Sequence, residues 1–135
     1  MNAEISTDPK RLDIDWIVTQ LRGSYWGAQL RPEQIAAAVS RSLCFGAYVD
    51  NKQVGLVRVV GDGNIFSSVT DVIVQEDMRG KGIGTALIKA VVAHPEVGST
   101  YCILRARENS WLWYFRHADF HVFDRKHGLM QRFPQ

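Results

Sequence analysis

The sequence is poor in the features that mark several large classes of protein. It has only two cysteines, Cys44 and Cys102, which lie in separate apolar runs without C-x-x-C spacing. Neither a disulfide framework nor a metal site is therefore predicted. No apolar run approaches the length that crosses a bilayer, and the N-terminal residues are polar rather than those of a signal peptide. We expect a cytoplasmic protein with no metal and no membrane partner.

A strong charge of either sign is lacking as well. Sixteen Lys and Arg stand against fourteen Asp and Glu, for a formal net charge of +2. This charge is too small to favour a nucleic acid as a partner, and the basic residues cluster only around one glycine-rich stretch. With 46% apolar and 22% charged residues, the 135-residue composition is that of an ordinary globular protein. Residues 1–135 are predicted to form a single domain.

What the chain does have is a glycine-rich turn between an apolar strand and an amphipathic helix. The β-branched run Val72–Val74 precedes it, and helical periodicity begins after Arg79–Gly84. The three glycines at alternate positions allow positive φ and leave no Cβ in the way of a ligand, while Arg79 and Lys81 add positive charge. Backbone N–H groups at a helix N-terminus bind anions. We predict a phosphate site here; a purely structural turn is the alternative.

The order of residues in this turn excludes two widespread phosphate motifs. The Walker pattern requires Ser or Thr after Gly-Lys, but Gly82 follows Lys81. The dinucleotide fingerprint G-x-G-x-x-G also fails, because the glycines run G-x-G-x-G. The pattern Arg-x-x-Gly-x-Gly over Arg79–Gly84, between a strand and a helix, resembles the acyl-CoA signature of the GNAT superfamily of N-acetyltransferases. The resemblance extends from about Cys44 to Phe120.

The periodicity elsewhere in the chain predicts elements in the order of that fold. Strands are expected at residues 3–6, 43–49, 54–60, 65–74, 101–106, 121–123 and 129–133. Two helices, one capped by Asp13 and one starting at Pro32, precede the meander, and the crossover helix stops before Pro95. A last helix should be capped by Asn109 or Ser110. The predicted class is α/β (α+β), a GNAT-like mixed sheet with N-terminal helices, an antiparallel meander, a crossover helix and a parallel fifth strand.

The resemblance implies how a coenzyme would bind and react. Acetyl-CoA would donate its acetyl group directly to a primary amine, without a covalent enzyme intermediate. The pantetheine arm would pair with the main chain of Val72 and Val74 like an added strand, and the thioester carbonyl would lie near the N–H of Val72 or Ile73. The residues predicted to hold the coenzyme are Val72, Ile73, Val74, Arg79, Gly80, Lys81, Gly82, Ile83, Gly84, Thr85 and Asn109. The alternative for Asn109 is helix capping alone.

The acceptor side carries weaker signals. Asp71 could take the amine's proton, directly or through water, or it could bond its own backbone or a neighbouring arginine. Arg58 could pair with Asp71 or with an acidic substrate. Tyr25 and Trp26 are predicted to contact the acceptor, because their loop would overlie the thioester end; the alternative is that they only cover the sheet.

The predicted acid departs from the family pattern. In the resembling family, a tyrosine on the helix after the fifth strand protonates the leaving thiolate, and that helix ends in Tyr-x-x-x-Gly-Phe. Counting back from Phe120 places Asp119 at the glycine and Phe115 at the tyrosine. Counting forward from Asn109 reaches Tyr114 instead. We predict Tyr114 as the acid; the alternative is that it only forms part of the pocket wall.

Taken together, these patterns predict an acetyl-CoA-dependent N-acetyltransferase acting on a small-molecule or peptide amine. The disturbed tyrosine and glycine positions leave a second hypothesis, a catalytically weak or inactive CoA-binding regulatory module of the same fold. A nucleotide- or nucleic-acid-binding domain that uses the basic glycine turn is the third. Dimers are common in the resembling family, so a homodimer is an expected assembly.

Overall fold

A seven-stranded mixed sheet organises the structure, a computed structural model that describes residues 2–135. Its strands are β1 (Glu4–Ser6), β2 (Leu43–Val49), β3 (Lys52–Gly61), β4 (Phe66–Val74), β5 (Tyr101–Arg105), β6 (His121–Asp124) and β7 (Leu129–Arg132). They lie in the order β1-β2-β3-β4-β5-β7-β6, and only β4 and β5 pair in parallel. The predicted mixed sheet, with its antiparallel meander and parallel fifth strand, is confirmed.

In residues 2–135, five α-helices accompany the sheet: α1 (Ile14–Arg22), α2 (Pro32–Ser40), α3 (Ile83–Ala93), α4 (Pro95–Gly98) and α5 (Glu108–Ala118). Short 3-10 turns form at Pro9–Arg11 and Glu76–Met78. The start of α1 is as predicted, because the Asp13 carboxylate accepts the Trp16 N–H at 3.0 Å. Pro32 begins α2, where its missing N–H costs no helical bond. The four-residue α4 was not predicted, since Pro95 reads equally well as a stop and as a first helical residue.

The predicted cap of α5 is wrong. Arg107 is the N-cap residue, in extended conformation and without a side-chain cap bond, and the helix begins at Glu108. Asn109 and Ser110 therefore lie inside the first turn, where their side chains contact each other at 3.5 Å. A carboxylate in a first turn interacts favourably with the helix dipole, so Glu108 supports the earlier start.

Two apolar clusters fill the two faces of the sheet. On one face, α3 and α5 pack on the central strands; the buried cluster there includes Phe45, Val57, Val59 and Val69 of the strands, Leu87, Ile88 and Val91 of α3, and Phe120 after α5. On the other face, α1 and α2 cover a smaller cluster formed by Ile17, Leu21, Ile35, Val39, Cys44, Leu56 and Ile73. The sheet is thus covered on both faces along β2 to β4, which holds β4 firmly in position.

A β-bulge in β4 decides which way its side chains point. Arg58 of β3 pairs with Asp71, and Val59 pairs with Val69, so Thr70 is an extra residue without a partner. One inserted residue shifts the alternation of side chains along a strand. Asp71 therefore points to the face covered by α1 and α2, whereas Val69 points to the α3 face.

The parallel strands β4 and β5 separate early. β4 pairs with β5 only over residues 66–69, although it stays paired with β3 as far as Val74. Residues 70–74 of β4 consequently have no strand beside them on the β5 side. This open edge of β4 leads directly to the turn that precedes α3.

Candidate functional site

A cavity of about 1280 Å³ lies along the open edge of β4, between the loop after α1, the start of α3 and α5. The residues predicted for the site that line it are Tyr25, Trp26, Val72, Ile73, Val74, Arg79, Gly80, Gly82, Ile83, Gly84, Thr85 and Tyr114. Lys81, Asp71 and Asn109 do not line it. The structure thus brings the two N-terminal aromatic residues, the open edge of β4, the glycine turn and Tyr114 to one cavity.

The glycine turn exposes bare backbone at two positions. Gly80 has φ +76° and Gly82 has φ +83°, in the left-handed region that glycine adopts freely. A Cβ added to either residue would meet no atom within 4 Å. Gly84 differs, because it lies in the first turn of α3 without a positive φ, and a Cβ there would stand 3.6 Å from the Trp113 ring. Gly80 and Gly82 therefore use the positive φ that glycine allows, whereas Gly84, which lies inside α3, does not.

The N-terminus of α3 provides unpaired donors. The first intrahelical bond runs from the Ala86 N–H to the Gly82 carbonyl at 3.0 Å, so the N–H groups of residues 83–85 have no acceptor within the helix. The N-cap Gly82 offers no side chain, and the first turn contains no acidic residue. The exposed side chains of Arg79 and Lys81 add positive charge to the N-terminal end of the helix, which is already the positive end of the helix dipole. This end of the cavity suits an anion.

The open edge of β4 presents main-chain groups to the same cavity. The Gln75 N–H donates to the Val54 carbonyl of β3 at 2.8 Å. Because backbone groups alternate along an antiparallel strand, Ile73 also faces β3, whereas Val72 and Val74 direct their N–H and C=O groups into the gap. The Val74 carbonyl accepts a hydrogen bond from Arg79 Nε at 3.0 Å. That Val72 and Val74 bind a coenzyme stays a prediction.

Asp71 lies behind the cavity wall in a network of charged and polar groups. Its carboxylate, 5% exposed, accepts hydrogen bonds from Arg58 Nε at 2.6 Å and from Trp26 Nε1 at 3.2 Å. Arg58 also donates to the Ser42 hydroxyl at 3.0 Å. Both oxygens of Asp71 are therefore engaged, and the pairing with Arg58 is one of the two alternatives considered from the sequence. A catalytic role for Asp71 stays a prediction.

Tyr114, rather than Phe115, faces the cavity. The Tyr114 ring packs edge to face against Trp113, with centroids 4.9 Å apart. Phe115 is 48% exposed and lies against His121 on the outer side of α5. Burial raises the pKa of Tyr114 to about 12, so the phenol is protonated at neutral pH. Asp119 ends the helix with φ 60°, in the left-handed conformation that is usually left to glycine.

The loop between α1 and α2 holds the aromatic pair over the cavity. A Cβ on Gly27 would lie 2.0 Å from the Leu21 carbonyl oxygen, so only glycine allows the loop to approach α1 so closely. The rings of Tyr25 and Trp26 meet edge to face at 5.0 Å. The Arg107 guanidinium lies 3.9 Å above the centre of the Tyr25 ring. Sequence reasoning missed Arg107, because a contact between distant segments leaves no local pattern.

Other cavity residues were missed for a similar reason. Thr19 and Gln20 of α1 and Ser110 of α5 line the cavity, and so does Trp113, which the sequence suggested only as part of a pocket wall. The apolar periodicity of these helices predicts which face is buried, but it does not show what the neighbouring polar positions meet. In α5, the aromatic cluster that includes Trp113 was the only signal.

The two cysteines lie in the packed interior, outside the cavity. Burial raises the pKa of Cys44 to about 11, and it raises the pKa of Cys102 above its usual value. Both are therefore protonated thiols at neutral pH. Among residues 2–135, no group of three or more His, Cys, Asp or Glu side chains is arranged to hold a metal ion. Over the same residues, no helix combines the length and the apolar character needed to cross a membrane.

The structure is thus an α/β fold whose mixed sheet opens between its two parallel strands, beside a glycine turn and a helix N-terminus. A profile described as the acetyltransferase (GNAT) domain matches residues 40–122 of the chain. The protein belongs to the GNAT acetyltransferase family.

Solved structures and a curated relative agree with this assignment. A proposed acetyltransferase of the GNAT family from Xanthomonas campestris pv. campestris is 32% identical, with a TM-score of 0.84 over 98% of this chain and 94% of that chain. The PaiA N-acetyltransferase from Thermoplasma acidophilum, solved in complex with coenzyme A, is 18% identical, with a TM-score of 0.71 over 98% and 99% of the two chains. At that identity the likeness concerns the fold alone.

The curated relative is a proposed acetyltransferase of Gibberella zeae, 31% identical over 105 residues and 63% of this chain. The match spans 59% of that relative's length. The similarity therefore concerns only part of the longer protein.

Proposed function

We propose that the protein is an acetyl-CoA-dependent N-acetyltransferase that transfers an acetyl group to a primary amine in a ternary complex, within the single domain 1–135. The observation that carries this proposal is the open edge of β4, which leads into the unpaired N–H groups of α3. An extended pantetheine arm needs strand-like partners, and a diphosphate needs anion-binding amides. The coenzyme A complex of the Thermoplasma acidophilum protein, which shares the fold, supports the assignment.

The coenzyme would be held mainly by main-chain groups. We assign the diphosphate to the N–H groups of residues 80–85, with Arg79 and Lys81 supplying positive charge. The pantetheine arm is assigned to the open edge at Val72 and Val74. The side chains of both valines pack against the α3 cluster, so the same residues serve packing and binding through different atoms.

Acetyl-CoA supplies an acetyl group activated as a thioester. In the proposed transfer, the neutral amine nitrogen forms a bond to the acetyl carbon and the carbon–sulfur bond breaks; the nitrogen loses a proton and the thiolate gains one. Of the two donors considered for the developing oxyanion, we assign Val72, because the N–H of Ile73 faces β3. A donor aimed at such an oxyanion typically lowers the barrier by about 3 kcal/mol.

Tyr114 is proposed to donate a hydrogen bond to the leaving sulfur. Its pKa of about 12 lies above the ordinary thiol value of about 8.5. Complete proton transfer from this phenol to a thiolate is thus uphill. We therefore assign to Tyr114 the stabilisation of the developing thiolate, with the final proton coming from water.

Asp71 is proposed to position Trp26 beside the reaction site. Both of its oxygens are occupied in the structure, by Arg58 and by Trp26. To act as the base, taking the amine's proton through water, Asp71 would have to use a further lone pair of an oxygen that already accepts a hydrogen bond. Tyr25 and Trp26 are proposed to contact the acceptor, a small-molecule or peptide amine.

The test is acetyl-CoA turnover with a panel of amines. We expect release of free CoA that depends on an added amine, together with an N-acetylated product seen by mass spectrometry. A Gly82→Asp variant, in which a carboxylate stands at the proposed diphosphate site, is the matched negative control. Tight binding of acetyl-CoA without turnover of any amine would contradict the enzyme assignment and favour the CoA-binding regulatory module.

A further inference from the structure

We propose that the acceptor amine also carries a carboxylate, and that Arg107 binds this carboxylate at the mouth of the cavity. The inference deepens the N-acetyltransferase function proposed above and rests on it. It names a substrate class, amino acids and related amino-carboxylates, rather than polyamines or neutral amines.

Arg107 is held in place with its hydrogen-bond donors available. Its guanidinium lies 3.9 Å above the Tyr25 ring centre. A guanidinium stacked on a ring keeps its N–H groups in its own plane, where they match the two oxygens of a carboxylate. Among residues 2–135, no carboxylate forms an ion pair with Arg107. The stacking thus orients a cation without neutralising it.

Tyr25 lines the cavity at its acceptor end, and Arg107 stacks on Tyr25 from outside the lining. Tyr25 touches Trp26, whose Nε1 donates to Asp71, the residue immediately before Val72. Arg107 itself is the N-cap residue of α5, beyond the end of β5. The Tyr25–Arg107 contact therefore joins the loop after α1, which is bonded to β4 through Trp26, to the segment that follows β5.

Among the charged residues around this end of the cavity, Arg107 is the cation that can bind an anionic group of the substrate. Arg58 is already paired with Asp71, and its side chain is 19% exposed. The acidic residues that line the cavity, Glu76 and Asp77, lie next to the glycine turn instead. A carboxylate would thus find a partner here, whereas a second ammonium group would be repelled.

A positive neighbour also suits the chemistry. A free alkyl amine has a pKa of about 10 and must lose its proton before it can attack. A like charge nearby disfavours the protonated form and lowers the pKa of the amine. The substrate's carboxylate would attract the substrate to Arg107. By itself that carboxylate would raise the pKa of the amine, and its pairing with Arg107 would weaken this effect.

The test compares amino acids with their primary carboxamides as acceptors. The panel contains glycine, L-leucine, L-phenylalanine, L-glutamate, β-alanine and γ-aminobutyrate, each with its matched amide, and putrescine. We expect the best acid to exceed its amide in kcat/KM by at least about tenfold. Arg107→Ala should remove this preference and leave the amides nearly unchanged. Arg116→Ala, an exposed arginine of the same helix, is the matched control.

A binding measurement keeps the inference separate from turnover. N-acetylated amino acids and their amides are titrated into the CoA-loaded protein, and the tryptophan fluorescence is followed. Binding that requires the carboxylate and is lost in Arg107→Ala supports the inference even if no amine is turned over. Turnover or binding without preference for the acid, or an equal loss for acids and amides in Arg107→Ala, would overturn the inference while leaving the N-acetyltransferase proposal intact.

Discussion

The two ends of the cavity are built from different parts of the chain. At the coenzyme end, the groups that face the cavity are main-chain atoms of β4 and of the first turn of α3. At the acceptor end, the side chains of Tyr25 and Trp26 line the cavity, and two residues from distant segments, Asp71 and Arg107, contact them from outside the lining. A site made of main chain depends on the fold, whereas a site made of side chains can change without altering the fold. We infer that the first end serves any acyl-CoA chemistry and that the second determines the substrate.

The largest effect is expected where main chain meets the diphosphate. Gly82→Asp should weaken acetyl-CoA binding by at least about 100-fold, because it places a negative charge at a helix N-terminus that binds an anion. Isothermal titration calorimetry measures this affinity. Gly82→Asn is the control, since Asn has the same size and also tolerates positive φ but is neutral. Equal affinity of the Asp variant and the wild type would contradict the proposed diphosphate site.

A smaller effect is expected at Tyr114, between the two ends. Tyr114→Phe should lower kcat by about 10- to 100-fold with little change in the KM of acetyl-CoA, because the hydroxyl acts only on the leaving sulfur. Steady-state kinetics measures both parameters. Adding Phe115→Tyr to this variant should not restore kcat, since Phe115 lies on the outer side of α5. Restoration would show that Phe115 faces the sulfur instead.

The Tyr114 assignment also makes a prediction about pH. Because burial raises the phenol pKa to about 12, Tyr114 keeps its proton in the folded protein well above the range where an ordinary tyrosine loses it. We expect no fall in kcat from this group between about pH 8 and 10. A fall in that range that is absent from Tyr114→Phe would contradict the raised pKa.

At the acceptor end, the Asp71–Trp26 hydrogen bond should affect kcat/KM for the amine but not the affinity for acetyl-CoA. Asp71→Asn is expected to lower kcat/KM for the amine by about tenfold while leaving acetyl-CoA affinity unchanged, because Trp26 loses its charged partner. Trp26→Phe removes the same hydrogen bond from the other side. If the two residues act through this bond, the double variant should lose little more than either single variant. Additive losses, or weaker acetyl-CoA binding, would argue against a positioning role.

The smallest effect is expected at the third glycine. A Cβ on Gly84 would make ordinary contacts with Trp113 and Val74 and would not enter the diphosphate site. Gly84→Ala should change acetyl-CoA affinity by less than about threefold, and it should stabilise α3 by up to about 0.5 kcal/mol. Calorimetry and thermal unfolding measure the two quantities. A loss as large as that of Gly82→Asp would erase the distinction between these glycines.

The coenzyme end could be predicted from sequence because its signal is contiguous. The strand, the glycine turn and the helix follow one another in the chain, so local periodicity was enough to place Arg79–Gly84 between β4 and α3. Gly84 differs in conformation from the other two glycines of the motif, because α3 already begins at Ile83. Adjacent residues of a helix point about 100° apart. The two counts, back from Phe120 and forward from Asn109, differ by one residue and so point to side chains on different sides of α5. Only the structure shows that the side chain facing the cavity is that of Tyr114.

The acceptor end could be predicted only in part, because its contacts join segments that are far apart in sequence. The aromatic pair Tyr25–Trp26 was visible as a pattern, but its partner Arg107 was not. The bulge at Thr70, which turns Asp71 toward Arg58, has no sequence signature of its own. Tertiary packing determines both features.

The central claim is that main-chain groups of β4 and α3 bind the coenzyme. A titration of the ¹⁵N-labelled protein with acetyl-CoA, followed through its backbone amide resonances, tests this directly. We expect the largest shifts at Val72, at Val74 and over residues 80–85. Unchanged amides there, with shifts centred on the separate cavity of about 770 Å³ beside Arg11 and Lys52, would contradict it.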